Sequence, residues 1–241
     1  MARFAACRFG TGRAAAYGLI WNMAFLQSQP PRQPFFRAPP VVLWLIGGLA
    51  LAHAARLALP AAGQQMLLNE YAFSPARYSP AFLAAHDIDP GSLWERAAPF
   101  VSYIGLHNDW THVGINCLWL LAFGPVVARR FGTWLFLVFF VVCGIGGAAA
   151  YLAFNWGSAE GVIGASGAIS GLMAAGIRLL PGEAPWANPA EAPLAPIFSR
   201  RVVLFSLVWA AVNLAVGLTG FGIGGHTVQI AWQAHLGGYL A

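Results

Sequence analysis

Four stretches of this chain are too long and too apolar to have water as their solvent: Val41–Leu59, Thr111–Ala128, Thr133–Phe154 and Val202–Leu218. A helix crosses the roughly 30 Å hydrocarbon core of a bilayer with about 20 mostly apolar residues, and each stretch meets that need. Two more, Ser166–Leu180 and Val228–Ala241, are apolar but short. The chain is 59% hydrophobic and 9% charged, where soluble proteins carry roughly 25% charged residues. A net charge of +5 does not point to nucleic acid, because all 13 basic residues are arginines and no basic run exceeds two residues. The apolar excess excludes disorder, and 3 cysteines in 241 residues exclude a disulfide scaffold. Cys7, Cys117 and Cys143 are expected to be unpaired thiols. The reading is an all-α polytopic membrane protein with one membrane domain.

Counted as six helices, the loops alternate in charge. Arg3, Arg8, Arg13, Arg32, Arg37, Arg129, Arg130, Arg178, Arg200 and Arg201 fall on one side, while the other holds Arg77, Arg96 and six of the 8 acids. The positive-inside rule then places the N-terminus in the cytoplasm, and the expected location is the inner membrane of a bacterial cell. Residues 1–40 carry five arginines and no acid. They are read as a disordered cytoplasmic tail, with an organellar transit peptide or a misassigned start codon as alternatives, and residues 41–241 as the membrane domain. The one long connection, Pro60–Trp110, contains Trp94, Phe100 and Tyr103, which suit a membrane interface, and a connection of this length is usually functional or structured in itself.

Strongly polar side chains at membrane depth are costly and mark functional sites by default. His112 and Asn116, four apart at the outer end of the second span, share a helix face. Ser166 opens the short fourth span within Gly164-Ala165-Ser166-Gly167, and His235 lies in the sixth. At about 1.5 Å of rise per residue, Asn116 stands roughly 20 Å above Arg129, Ser166 roughly 18 Å above Arg178, and His235 roughly 10 Å below the outer surface. These counts meet at one plane. The stretch before Ser166 must therefore dip into the bilayer, which irregular backbone tolerates only where protein buries it or water reaches it. A serine at a helix N-terminus has unpaired N–H groups and a positive dipole end around it. A neutral imidazole is the usual base for such a hydroxyl. His112 and Asn116 could donate to an oxyanion, and Gly164 and Gly167 would let a substrate backbone come close.

Blander readings stand beside this one. Gly167 and Gly171 with Ser166 and Ser170 also make a small-residue packing face, and His112 with Asn116 could be interhelical glue. His235 alone could be a structural histidine. His53 and Arg56 are expected to snorkel or to pair with loop acids, and His86, His107 and His226 to be solvated in or beside outer loops. No metal-ligand spacing occurs among the histidines, and no inverted repeat suggests a transporter. In the loop Thr219–Thr227, Gly220, Gly222, Gly224 and Gly225 either form a lid that admits substrate or merely allow a tight turn.

Together, His112-x-x-x-Asn116, Gly164-Ala165-Ser166-Gly167 and Ala234-His235-x-x-Gly238 resemble the motifs of the rhomboid intramembrane serine proteases, in that family's order, over about residues 41–241. The resemblance implies a six-helix bundle, a Ser166–His235 dyad without an acid partner, and an oxyanion hole built from Ser166, His112 and Asn116 beside Gly164. It implies no cofactor and no metal. The implied partners are the lipid bilayer and single-span membrane proteins cut within their transmembrane segments. His107 falls where members often carry a further histidine, whereas Trp94-Glu95-Arg96 sits a few residues upstream of the family's Trp-Arg pair. The sixth helix, about 21 Å long from Val228 to Ala241, is shorter than the family's and reads as truncated. The alternative from another class is a catalytically silent relative that binds membrane clients.

Overall fold

The computed structural model of the chain describes residues 38–180, 193–220 and 230–241. The expected tail therefore lies almost wholly outside the described residues, as do Cys7, His226 and most of the glycine-rich loop. The described residues are helical, with no strand beyond an isolated bridge. In chain order the α-helices are α1 (Pro40–Leu57), α2 (Ala61–Tyr71), α3 (Pro80–Ala85), α4 (Leu93–Ala97), α5 (Pro99–Ser102), α6 (Trp110–Phe154), α7 (Ser166–Leu179), α8 (Arg200–Thr219) and α9 (Trp232–Leu240).

Three of these, α1, α6 and α8, are long and apolar enough to cross a membrane. At 45 residues, α6 holds enough helix for two crossings, since its two arms together rise about 68 Å against a hydrocarbon core of roughly 30 Å. It is broken at Gly132, whose φ of 71° is a conformation open chiefly to glycine. The break falls between the second and third spans expected from the sequence. Each remaining expected span has a helix within it, although α9 begins only at Trp232.

Helix α7 is the most enclosed helix of the described residues, with 10 of its 14 residues buried. It lies against the second arm of α6 and against α9 with almost nothing but glycine between the backbones. A Cβ on Gly238 would run into the Gly167 carbonyl oxygen and one on Gly171 into the Cys143 sulfur, while α9 meets α6 as closely, a Cβ on Gly237 running into the Gly146 carbonyl. The small-residue face foreseen on α7 is therefore used for packing, and Ser166, at the head of the same helix, stays free for another partner. Overpacking a close contact costs about 1–3 kcal/mol, more where backbone must move. Gly238→Ala is accordingly expected to lower the melting temperature in detergent by several degrees and to reduce any activity that needs His235 beside Ser166, whereas Gly105→Ala, with open space around it, should change neither.

The connection between α1 and α6 folds on itself. Phe73, Tyr78, Phe100 and Tyr103 form an aromatic cluster, with Phe73 and Phe100 ring centroids 4.8 Å apart. Phe73 and Val162 exchange backbone hydrogen bonds of 3.1 and 2.8 Å, and the Ala76 N–H donates to the Ser158 carbonyl at 2.9 Å. The irregular segment before α7 is thus clothed by protein, as non-helical backbone at depth requires. Of the three aromatic residues assigned to the membrane interface, only Trp94 is exposed. Phe100 joins the cluster, and Tyr103 is buried with its hydroxyl donating to the Gly144 carbonyl at 2.7 Å. Tyr103 occupies the gap that Gly147 and Gly167 leave for it.

Candidate active site

Ser166 is the first residue of α7, so its N–H belongs to the helix's opening turn, where no intrahelical acceptor exists. The two residues before it are pinned. The Gly164 N–H donates to the Tyr103 carbonyl at 2.9 Å, and the Ala165 N–H to His107 Nε2 at 3.5 Å. With its N–H occupied, Gly164 contributes space instead of a hydrogen bond. Its φ of 117° again demands glycine.

The Ser166 hydroxyl and His235 Nε2 are 2.8 Å apart, joining α7 to α9. On the other side of the ring, His235 Nδ1 is 2.6 Å from Asn213 Oδ1 on α8. His112 and Asn116 approach from the first arm of α6. A Cβ placed on Gly164 would meet His112 Nε2 at 2.7 Å and Asn116 Nδ2 at 3.6 Å, so both side chains border the space that this glycine leaves open. The Asn108 N–H points at His112 Nδ1 at 3.4 Å, which puts the proton of a neutral ring on Nε2. Asn116 is buried and its Nδ2 has no hydrogen-bond partner among the described residues. A buried donor left unpaired is costly and uncommon. Two side-chain N–H donors thus face one opening, with a helix N-terminus and a hydroxyl–imidazole pair beside it. All five residues singled out from the sequence, Ser166, His235, His112, Asn116 and Gly164, are brought together.

Three expectations need correction. Arg56 neither snorkels nor pairs with an acid: it is buried and Nη2 donates to the His107 and Asn108 carbonyls at 2.8 and 3.1 Å. His53 is buried as well, edge-on to Trp110 with ring centroids 4.8 Å apart. His107 is fully buried instead of solvated, and its ring sits 4.9 Å from that of His112. The cause is common to all three: the connection before α6 tucks inward, and Arg56 satisfies its last carbonyls. Cys117 and Cys143 are unpaired, as expected.

Burial, and next the neighbouring His112, hold the His107 imidazole down to about 4. Unfolded chain would bind a proton there near 6.5, so between pH 6.5 and 4 the unfolded state takes up more protons and stability falls as pH falls. The ceiling is roughly 3 kcal/mol, the span of the shift at 1.36 kcal/mol per unit. Denaturant titrations at pH 7.5 and 4.5 should therefore show a clear loss for the wild type and a smaller one for His107→Gln. Equal losses would mean that this ring is not held neutral.

A family model described as Rhomboid domain matches residues 90–241, which takes in every residue of the site, Ser166, His235, His112, Asn116, Gly164 and Asn213 alike. No curated protein matches the chain.

Proposed function

The chain belongs to the rhomboid family, and we propose that it is an active intramembrane serine endopeptidase with Ser166 as nucleophile and His235 as base. It is an integral membrane protein, and members of its family are in general intramembrane serine proteases acting on membrane-protein substrates. The observation that carries the reading is the 2.8 Å contact between the Ser166 hydroxyl and His235 Nε2. In the reaction, Ser166 Oγ attacks a substrate carbonyl carbon and His235 Nε2 takes the hydroxyl proton. The carbonyl oxygen becomes an oxyanion and receives hydrogen bonds from the Ser166 N–H, His112 Nε2–H and Asn116 Nδ2–H. His235 then passes its proton to the leaving amine. In the second half, water gives a proton to the same nitrogen as it attacks the acyl ester, and Ser166 is regenerated.

The topology proposed with it has six crossings and a cytoplasmic N-terminus. It draws support from the arginine distribution, from an α6 long enough for two crossings, and from the break at Gly132 directly after Arg129 and Arg130. Residues 1–40 are the tail and 41–241 the membrane domain; in a bacterium this would be an inner-membrane protein. A single-span substrate fits the reaction best, because a local stretch of one helix must unwind before its carbonyls leave their internal hydrogen bonds. The experiment is cleavage in liposomes: purified chain and a labelled single-span protein should yield two fragments, and the Ser166→Ala chain none. A protein that binds the substrate and never cuts it would be the silent relative instead.

A further inference from the structure

We propose that Asn213 is the positioning residue of the base: its side-chain oxygen holds the His235 ring in the tautomer and orientation that leave Nε2 bare toward Ser166. The proposal rests on the serine-protease reading above and adds a fourth helix, α8, to a site otherwise drawn from α6, α7 and α9.

Proton counting comes first. To accept the Ser166 hydroxyl proton, Nε2 must carry none, so the proton of the neutral ring sits on Nδ1, and the partner of one ring nitrogen decides the state of the other. Asn213 Oδ1 lies 2.6 Å from Nδ1. The amide's own orientation is determined independently, because its Nδ2 donates to the Trp209 carbonyl at 2.8 Å. A carbonyl there can accept only from the NH₂ end, which turns the oxygen toward His235. The chain of hydrogen bonds runs in one direction: Asn213 to Trp209, His235 to Asn213, Ser166 to His235. When the ring becomes an imidazolium, Nδ1–H keeps its acceptor and Nε2–H turns to the leaving amine.

The placement is built into the helix. Ser206, Trp209 and Asn213 recur at three- and four-residue spacing on one face of α8, and they meet Tyr239 and His235, four apart on α9. The Trp209 and Tyr239 rings stack at 4.2 Å, and Ser206 shares a 2.6 Å hydrogen bond with the Tyr239 hydroxyl. Only Val202 of α8 is buried, so this polar and aromatic seam, rather than a broad apolar face, sets α8 against the site. Among the described residues, few charges act on the ring. His112 faces it from α6; Ser166 from α7 and Asn213 from α8 are neutral, and Tyr239 lies a turn away on α9 itself.

Two measurements on the full chain in detergent test the proposal. Steady-state cleavage of a single-span substrate is followed across pH for wild type, Asn213→Leu and Asn213→Asp. Histidine ¹⁵N spectra, with His235 assigned from His235→Gln, report which ring nitrogen carries the proton. Asn213→Leu should lower kcat about 10–100-fold with KM nearly unchanged, since supporting partners of a reactive group typically matter at that level or more. Asn213→Asp should restore much of the rate and move the acid limb of the profile to higher pH, because a carboxylate favours the imidazolium. An interhelical strut would not move that limb. The spectra should show Nδ1–H in the wild type and its loss in Asn213→Leu. If Asn213→Leu does not fold, the acid limb of Asn213→Asp decides: an unmoved limb overturns the proposal. Ser166-dependent cleavage with an Asn213→Leu rate and profile equal to wild type overturns the proposal alone, whereas a wild type with no Ser166-dependent cleavage overturns the protease reading and the proposal with it.

Discussion

Ser166→Ala and His235→Ala are each expected to abolish cleavage of a single-span substrate, with losses on the order of 10⁴-fold or more, while melting temperatures in detergent stay near wild type. Nucleophile and base act on the same proton, so removing either removes the whole step. The double variant should consequently be no slower than the worse single one, as is found for residues that act as a unit. The fold should survive because neither side chain fills the core: Ser166 opens α7 and His235 is half-buried, and the glycine contacts that hold α7 and α9 together are left in place. Appreciable turnover by Ser166→Ala, or losses that multiply in the double variant, would be incompatible with this account.

The second large effect concerns the oxyanion donors. Losing one such donor typically costs about 10²–10³ in rate, or roughly 3–4 kcal/mol. Asn116→Ala should fall in that range, and so should His112→Ala, both through kcat. Because buried Nδ2 of Asn116 has no partner among the described residues, its removal should leave stability unchanged or improved, which separates a waiting donor from interhelical glue. Gly164→Ala reaches the same site by another route. Its Cβ would come within 2.7 Å of His112 Nε2 at a φ of 117°, so it should displace His112 and match or exceed the cost of His112→Ala. Parallel kcat and unfolding measurements on the three variants check this; wild-type rates for Asn116→Ala and His112→Ala would return the pair to a packing role.

Helix rise is nearly constant, and that constancy makes the site legible in the sequence. Counting from Arg129, Arg178 and the outer surface placed Asn116, Ser166 and His235 at one level, and these residues do converge. The same arithmetic could have found Asn213. It stands twelve residues after Arg201, roughly 18 Å up, and is with Ser206 a polar interruption in the body of an apolar span. Its depth is its one signal, since it shares no helix-face pairing or glycine-flanked motif of the kind that marks Asn116 and Ser166. Arg56, His53 and His107 could not be placed this way. Their burial depends on the connection before α6 folding back against the segment before α7, a non-local arrangement that has no periodicity to betray it. Tyr103 looked like an interface anchor for the same reason; its partner is the hole left by Gly147 and Gly167, far away in sequence. The loop Thr219–Thr227, read from its glycines as either a lid or a tight turn, lies outside the described residues beyond Gly220.

The most direct test of the central claim is chemical labelling. A fluorophosphonate reacts with a serine oxygen only where a base takes its proton and donors stabilise the charge that develops on the phosphoryl oxygen. Purified wild-type chain incubated with such a probe and digested for mass spectrometry should carry the label on Ser166, and His235→Ala should suppress it. A wild-type chain that stays unlabelled at Ser166, or one labelled equally well without His235, would contradict the account.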